Sequence, residues 1–474
     1  MSIDLKGSTP GLPPTVIDDE TRAVKEAQSA APAATPHHAD EKEQGEQGQR
    51  LIANVEHEYP EGGLAAWLVV LGSFSGMLAA FGMMNTVGIF QQYLSEHQLK
   101  DYDEFTIGWI FSVYVFLSFF CGIQIGPVFD AHGPRLLILA GSVCICASML
   151  LLGLCTQYFH FLLTFGVLGG IGTSLIFTPA LSAISHFFLL KRGNATGLAA
   201  AGGSLGGVIF PLSLQRLFPA VGFAWATRII GFVFVALCCV ATALIKSRLP
   251  PKEGQSVVPD LRILGKRKGS YALLTVGIYF MEWALFIPIA YLPTFASSTK
   301  LFSPAFSYQL IAILNAGSCL GRWAPGYIAD KLGRFNSMIA ALALCTATTL
   351  SLWLPASLLS PTPSSPSTAI TIKALAITYA LLFGFASGSN ISLTPVCVGQ
   401  LCDTNQYGRY YATCYTIVSF GTLTGIPIAG ALIKACGGGY WGVVVWTFGC
   451  YVVALAAFCW SRAVEVGWGV GAKF

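Results

Sequence analysis

The sequence predicts an all-α membrane protein with twelve transmembrane helices in two six-helix lobes. Of 474 residues, 54% are hydrophobic and only 11% are charged, whereas a soluble surface needs roughly a quarter charged. Apolar stretches of about 20 residues, enough to cross roughly 30 Å of hydrocarbon, recur twelve times. One short loop also occurs twice: Gly126-Pro-Val-Phe-Asp130-Ala-His-Gly133 and Gly326-Tyr-Ile-Ala-Asp330-Lys-Leu-Gly333 each close a long apolar segment. Their Asp and second Gly are separated by the same 200 residues (330 − 130 and 333 − 133). Paired bundles related by such a repeat can rock about a central site and expose it to each side in turn.

In chain order, residues 1–59 are rich in Ala, Pro, Glu, Gln and His and poor in large apolar side chains, which predicts a disordered cytoplasmic tail. It lacks a signal peptide's basic start and apolar middle, so the first span is expected to direct insertion. The N-terminal lobe, 60–246, holds spans near 65–91, 106–127, 136–155, 160–185, 194–214 and 225–246. A basic central loop, 247–269, carries Arg248, Lys252, Arg262, Lys266, Arg267 and Lys268 and divides six spans from six. The C-terminal lobe, 270–462, holds spans near 270–292, 307–328, 337–357, 371–396, 409–433 and 440–461, and residues 463–474 form a short tail.

Lys and Arg are retained on the cytoplasmic side of short loops. With the N-terminus inside, that side receives Arg135, Lys191, Arg192, the central cluster, Lys331, Arg334, Arg409, Arg462 and Lys473. The opposite side keeps only Lys100, Arg216, Lys300, Lys373 and Lys434. Both termini are therefore expected in the cytoplasm. The plasma membrane is the expected location, with the vacuolar membrane as rival.

The net charge of +4 gives no support to nucleic-acid binding. Most of the fourteen Cys lie in apolar spans, without a disulfide framework or zinc-type spacing. No metal or cofactor is expected. Without a P-loop or a clustered catalytic constellation, neither ATP-driven pumping nor an enzyme is indicated.

In the repeated loop, Gly allows tight turns and close helix approach, and Asp can accept hydrogen bonds from helix ends. Placed after the second and eighth spans, it resembles the signature loop of major facilitator superfamily transporters and its weaker second copy. The resemblance implies that Gly126, Asp130, Gly133 and Arg135, with Gly326, Asp330, Gly333 and Arg334, latch the lobes at the cytoplasmic face without touching substrate. Two further stretches resemble the signatures of monocarboxylate porters: Pro60-Glu-Gly-Gly63 followed by Trp67, and the run from His186 through Lys191-Arg192-Gly193 to Gly207. This likeness is nearest to the fungal branch, which includes carriers for organic acids, riboflavin and secondary metabolites.

Gly202 and Gly206, and Gly203 and Gly207, have the small-xxx-small spacing that lets helix backbones pack closely in lipid. Gly421 and Gly425 repeat the device in the eleventh span. All six read as helix-packing positions.

Ionisable groups at bilayer depth are costly unless paired or hydrated. Arg322, in the eighth span, matches the buried arginine that monocarboxylate porters associate with the substrate carboxylate, and its planar fork suits that role. Its counterpart in the first lobe, at 322 − 200, is Gly122, so the shared loop architecture does not demand an arginine. Snorkelling to the cytoplasmic face or bracing the loop through Asp330 are the alternatives. Glu282, in the seventh span, can exchange a proton, giving a proton-coupled cycle, or serve as a static counter-ion to Arg322. The resemblance is incomplete: Asn85 stands where animal-type porters place a lysine, and Ser318 stands where they place an acid. Their lysine and Asp/Arg proton mechanism therefore does not carry over.

The candidate substrate contacts are Arg322, Asn85, Asn315, Tyr279 and Asn390. Gln124, Thr173, Ser389 and Tyr415 are further polar positions, and Phe81, Trp283 and Phe286 are rings able to stack on a planar ligand. Interhelical hydrogen bonding and ordinary membrane packing are the competing readings for each. The chain therefore reads as a secondary active transporter of a small organic anion, with protons as a possible second cargo and the lipid bilayer as its surroundings. A carrier of secondary metabolites or a riboflavin-like solute, in either direction, is the alternative. A non-transporting nutrient sensor is the alternative of another class.

Overall fold

The computed structural model describes residues 59–102, 104–248, 261–265, 267–360, 365–469 and 472–474. The expected tail over 1–58 and most of the central loop, 249–260, lie outside the described residues.

All regular elements among the described residues are helical. Ten helical stretches among the described residues are long and apolar enough to cross a membrane. Arg192–Leu244 counts there as one, but Gly222 breaks it at φ 75° and ψ 169°, making a fifth and a sixth span. Glycine takes that positive φ without the strain a Cβ brings. Pro304–Leu332 is the eighth span, less apolar than the rest because Asn315, Arg322, Asp330 and Lys331 lie on it. Ten, one and one make twelve.

Breaks inside spans have local causes. The first span runs as Gly63–Met84 and Val87–Glu96, parted at Asn85 and Thr86. Both side chains turn back onto backbone carbonyls, Asn85 to Phe81 at 2.9 Å and Thr86 to Met83 at 2.5 Å, competing with the helical ladder. The second span divides at Cys121 into Glu104–Phe120 and Gly122–His132, shortly before Pro127, which has no N–H to donate. Ser303 caps the eighth span and Ser365 the tenth, Pro366–Gln400, each with Pro at the start of the helix.

Packing rests on close backbone approach, since lipid removes the usual hydrophobic drive between helices. Gly202 faces the Phe74 backbone of the first span, and Gly206 faces Leu78 and Gly82. In the second lobe the seventh span, Ser270–Ser298, meets the eleventh, Tyr407–Ala435, where Gly421 lies against Tyr279 and Gly425 against Trp283. The eighth and tenth spans approach with Gly317 and Gly321 against the Leu381 and Phe385 backbone, and Gly384 and Gly388 against Leu314 and Ser318. Among the helix pairs that meet between the lobes, two do so by close backbone approach at glycine. The second span meets the eleventh at Gly126 and Gly408, and the fifth meets the eighth where Gly193 and Gly197 face Gly326 and Arg322.

A Cβ at Gly321 would run into the Phe385 backbone, whereas one at Gly449, in the twelfth span Trp441–Val466, would meet nothing. Gly321→Ala is therefore expected to cost roughly 1–3 kcal/mol through overpacking, while Gly449→Ala leaves stability unchanged or slightly higher. Thermal unfolding of both variants in detergent checks this; equal midpoints would show that the eighth and tenth spans can part without cost.

Candidate functional site

At the ends of the second and eighth spans, each repeated loop reaches into the opposite lobe. Asp130 accepts hydrogen bonds from the backbone N–H groups of Gly408 and Arg409, at 3.1 and 2.9 Å. Asp330 accepts from Gly193 and Asn194, at 2.9 and 2.8 Å. Each carboxylate thus caps the first turn of a helix in the other lobe, where amides lack partners within the helix and the dipole favours negative charge. Gly133 and Gly333, which follow these carboxylates, take positive φ of 77° and 104° and let the chain reverse into the next span.

Arginine and tryptophan side chains add further bonds across the same face. Arg192, only 2% exposed, donates to the Gly399 carbonyl at 3.1 Å and to Thr404 Oγ1 at 3.3 Å, and lies over the Tyr407 ring. Arg334 donates to the Leu189 carbonyl at 2.6 Å, and Trp323 Nε1 to Asn194 Oδ1 at 3.1 Å. Arg135, in contrast, is exposed. Arg192 was not among the sequence-derived gate residues, although its place just before Gly193 is a signal that could have found it.

Deeper in, a polar cluster lies between the lobes. Arg322 is 3% exposed and donates from Nη1 to the Ala200 carbonyl of the other lobe at 2.7 Å. Its Nε donates to Ser318 Oγ at 3.4 Å, which also accepts from Ser204 Oγ at 2.9 Å. The guanidinium lies 5.8 Å from the Phe81 ring centroid, within cation–π range. Nη2 makes no protein hydrogen bond among the described residues. Glu282, 1% exposed, accepts from the Tyr415 hydroxyl at 3.3 Å through Oε1, and its Oε2 is buried without a partner. The charges of Glu282 and Arg322 interact through space, but no direct ion pair joins them among the described residues.

The fifth-span glycines make room for this cluster. A Cβ at Gly203 would press on Arg322 and Phe81, and one at Gly207 on Asn315 and Asn85. Asn85 donates to Phe81 and Gly203 carbonyls, and Asn315 to Ile311. The structure therefore brings Arg322, Asn85 and Asn315 to one seam. Tyr279 instead packs on Phe280, Trp283 and Gly421, and Asn390 meets Cys345. Of the further polar positions, Thr173 bonds to Tyr114 and Ser389 to the Gly321 carbonyl, while Gln124 is exposed.

Rings from both lobes surround Tyr415. Its centroid lies 5.2 Å from Phe119, 5.7 Å from Phe177 and 4.7 Å from Tyr411, and Phe119 reaches Phe81 and Phe286. Sequence reasoning passed over Phe119, Phe177 and Tyr411. Tyr407, Tyr411 and Tyr415, at i, i+4 and i+8, did mark one face of the eleventh span.

A model of the Major Facilitator Superfamily matches residues 72–381. The chain belongs to that superfamily. Among curated relatives, it is 35% identical over 397 residues to the riboflavin transporter MCH5 of Saccharomyces cerevisiae, covering 79% of this chain and 74% of that one. It is 37% identical to the aspyridones efflux protein apdF of Emericella nidulans (80% and 74% covered) and 34% identical to the fujikurins efflux protein of Gibberella fujikuroi (85% and 83%). The fold is shared with the crystal structure of the human organic anion transporter MFSD10 (TETRAN), with a TM-score of 0.62 at 15% identity over 83% of this chain and 98% of that one. The protein is thus a multi-pass membrane transporter of small molecules.

His186, between the fourth and fifth spans, adds a titratable group beside the latch. It is 5% exposed, with Nδ1 2.9 Å from Ser247 Oγ and its carbonyl accepting from Arg248. Burial, then the charges of Arg192 and Arg248, push its pKa down from 6.5 to about 4.

Asp130→Asn and Asp330→Asn each remove a charge from a helix cap worth roughly 1 kcal/mol. Hydrogen exchange at the Gly408–Arg409 and Gly193–Asn194 amides is expected to rise roughly fivefold in both variants, because the two caps part together. A rise confined to the amides of the mutated cap would show that they open separately.

For His186 the unfolded chain binds the extra proton below 6.5, so stability is unaffected above that pH and falls as pH drops towards about 4. The full loss is on the order of 3 kcal/mol. His186→Gln should flatten this slope in unfolding midpoints measured against pH, and an unchanged slope would exclude His186 as its source.

Proposed function

We propose that this protein is a secondary active transporter of an organic anion, of the monocarboxylate porter branch, working by alternating access between its lobes. It sits in the plasma membrane with both termini cytoplasmic, so the latched face is the cytoplasmic one. The Lys and Arg distribution supports that orientation. The runs at Pro60-Glu-Gly-Gly63 and His186–Gly207 support the branch.

Arg322 carries the reading. It is buried between the lobes, and one terminal nitrogen is without a protein partner. A carboxylate beside it gains a charge-assisted bond at Nη2 and competes for Nη1 with Ala200 of the opposite lobe. Anion binding and lobe contact draw on one guanidinium, so occupancy alters how firmly the lobes hold together. Glu282, with one oxygen unpartnered, is the proton-exchanging group, and Asn85 and Asn315 complete the polar seam.

A second reading has its own support. The ring cluster of Phe81, Phe119, Phe177, Phe286, Tyr411 and Tyr415 suits a flat unsaturated solute. Relatives named for riboflavin, aspyridones and fujikurins favour a larger substrate of that kind.

Comparing metabolites inside and outside cells with and without the protein gives solute class and direction, and proteoliposomes loaded with the candidates then test them. Arg322→Lys is expected to lower flux of an anionic solute roughly tenfold or more, because a point charge loses the fork geometry. Glu282→Gln is expected to make flux independent of an imposed pH gradient. Wild-type flux in the first variant would remove the anion role, and unchanged pH dependence in the second would remove the proton role.

A further inference from the structure

We propose that Tyr415 is a positioning residue of the transport cycle that ties Glu282 to the Asp130 latch, an inference that rests on the proton-exchanging role of Glu282. Tyr415 makes the one protein hydrogen bond that Glu282 receives among the described residues, and the other carboxylate oxygen is buried without a partner. The acid's position is therefore set by a single hydroxyl. That hydroxyl belongs to the second lobe, but the ring bearing it is stacked on Phe119 and meets Phe177 edge-on, both in the first lobe.

The same helix also carries the latch. Gly408 and Arg409, whose amides cap onto Asp130, begin the eleventh span, and Tyr415 lies six residues beyond Arg409. At 1.5 Å per residue that is a rise of about 9 Å along one rigid rod. From Arg409 to Phe420 the helix contains neither Gly nor Pro, so it has no built-in hinge. A shift of Tyr415 therefore moves the two capping amides relative to Asp130. Tyr411 and Tyr407 continue the stripe towards Arg192, which lies over the Tyr407 ring.

The groups that sense Glu282 electrostatically are Arg322 from the eighth span, Tyr411, Cys414 and Tyr415 from the eleventh, and Tyr451 from the twelfth. Arg322 is the cation among them and makes no direct pair with the acid. When Glu282 is ionised, the Tyr415 bond is charge-assisted and holds the eleventh span in place. When Glu282 takes up a proton, that bond weakens, and the start of the eleventh span is free to leave Asp130.

Hydrogen exchange of the full-length protein in nanodiscs tests this, read at the Gly408–Arg409 and Gly193–Asn194 amides. It is corrected for the intrinsic pH effect and run from neutral to mildly acid pH, with every variant also measured in a His186→Gln background, because His186 adds its own slope below pH 6.5. In the wild type, exchange at both amide pairs should rise roughly tenfold on acidification, the scale of losing one charge-assisted bond. Tyr415→Phe keeps the ring and removes the hydroxyl, and should abolish the pH response. A merely structural effect would raise exchange equally at every pH and leave the response intact. Tyr411→Phe, one turn earlier, should keep the response.

If Tyr415→Phe responds as the wild type does while Glu282→Gln does not, the role of Tyr415 is overturned and that of Glu282 stands. If Glu282→Gln also keeps the response, or the wild type shows none, the proton-exchanging role falls and the inference with it.

Discussion

Backbone amides at the start of a helix have no partners within that helix, and here the fifth and eleventh spans both begin against the opposite lobe. Each is satisfied by a carboxylate from across the interface, Asp330 for the fifth and Asp130 for the eleventh. The arrangement depends on glycine, because Gly126 and Gly326 bring the loop backbone against Gly408 and Gly193, where a Cβ would collide. The caps exist only while the lobes touch at this face. When the lobes part, four amides and two carboxylates must find water instead. Closure is thus stabilised by a small, reversible set of bonds, which suits an equilibrium that ligands can shift.

The two lobes share their latch but not their centre. The offset that aligns Asp130 with Asp330 places Gly122 opposite Arg322, so the guanidinium has no symmetry mate. Space for it comes from the fifth span, whose two small-xxx-small pairs are offset by one residue and face different ways. Gly202 and Gly206 turn inward to the first span, while Gly203 and Gly207 face Arg322 and Asn315 across the interface, beside Phe81 and Asn85 of the first span. A single helix thereby packs its own lobe and leaves room for polar side chains from the other.

The twelve spans and the repeated loops were legible because their signals are local: a window of apolar residues and a fixed offset. The eighth span could be read despite its charges because the loop copy marks its end. The site was legible only in part. Asn390 and Tyr279 have the same sequence credentials as Asn85 and Asn315, but helix rotation decides which of them shares the fifth-span seam with Arg322, and sequence periodicity does not fix rotation between lobes. Arg192 read as one more positively charged loop residue, whereas it is buried and bonded across the interface. Phe119 and Phe177 were lost among abundant rings, since aromatic residues make up 12% of the chain.

The two interlobe helix pairs that carry a cap at the latched face also make a polar or aromatic contact deeper in. The fifth and eighth spans join Asp330 to Gly193 and Asn194 at one level and Arg322 to Ala200 at another. The second and eleventh join Asp130 to Gly408 and Arg409 and, above them, Phe119 to Tyr415. The eleventh span runs from Arg409 to Tyr415 without Gly or Pro, so displacement at the deeper level is carried to its cap, whereas the second and eighth spans have Pro127 and Pro325 between the two levels. Along the eleventh span the deeper contact and the cap are thus coupled through the stiffness of one helix, and no separate relay of side chains is required.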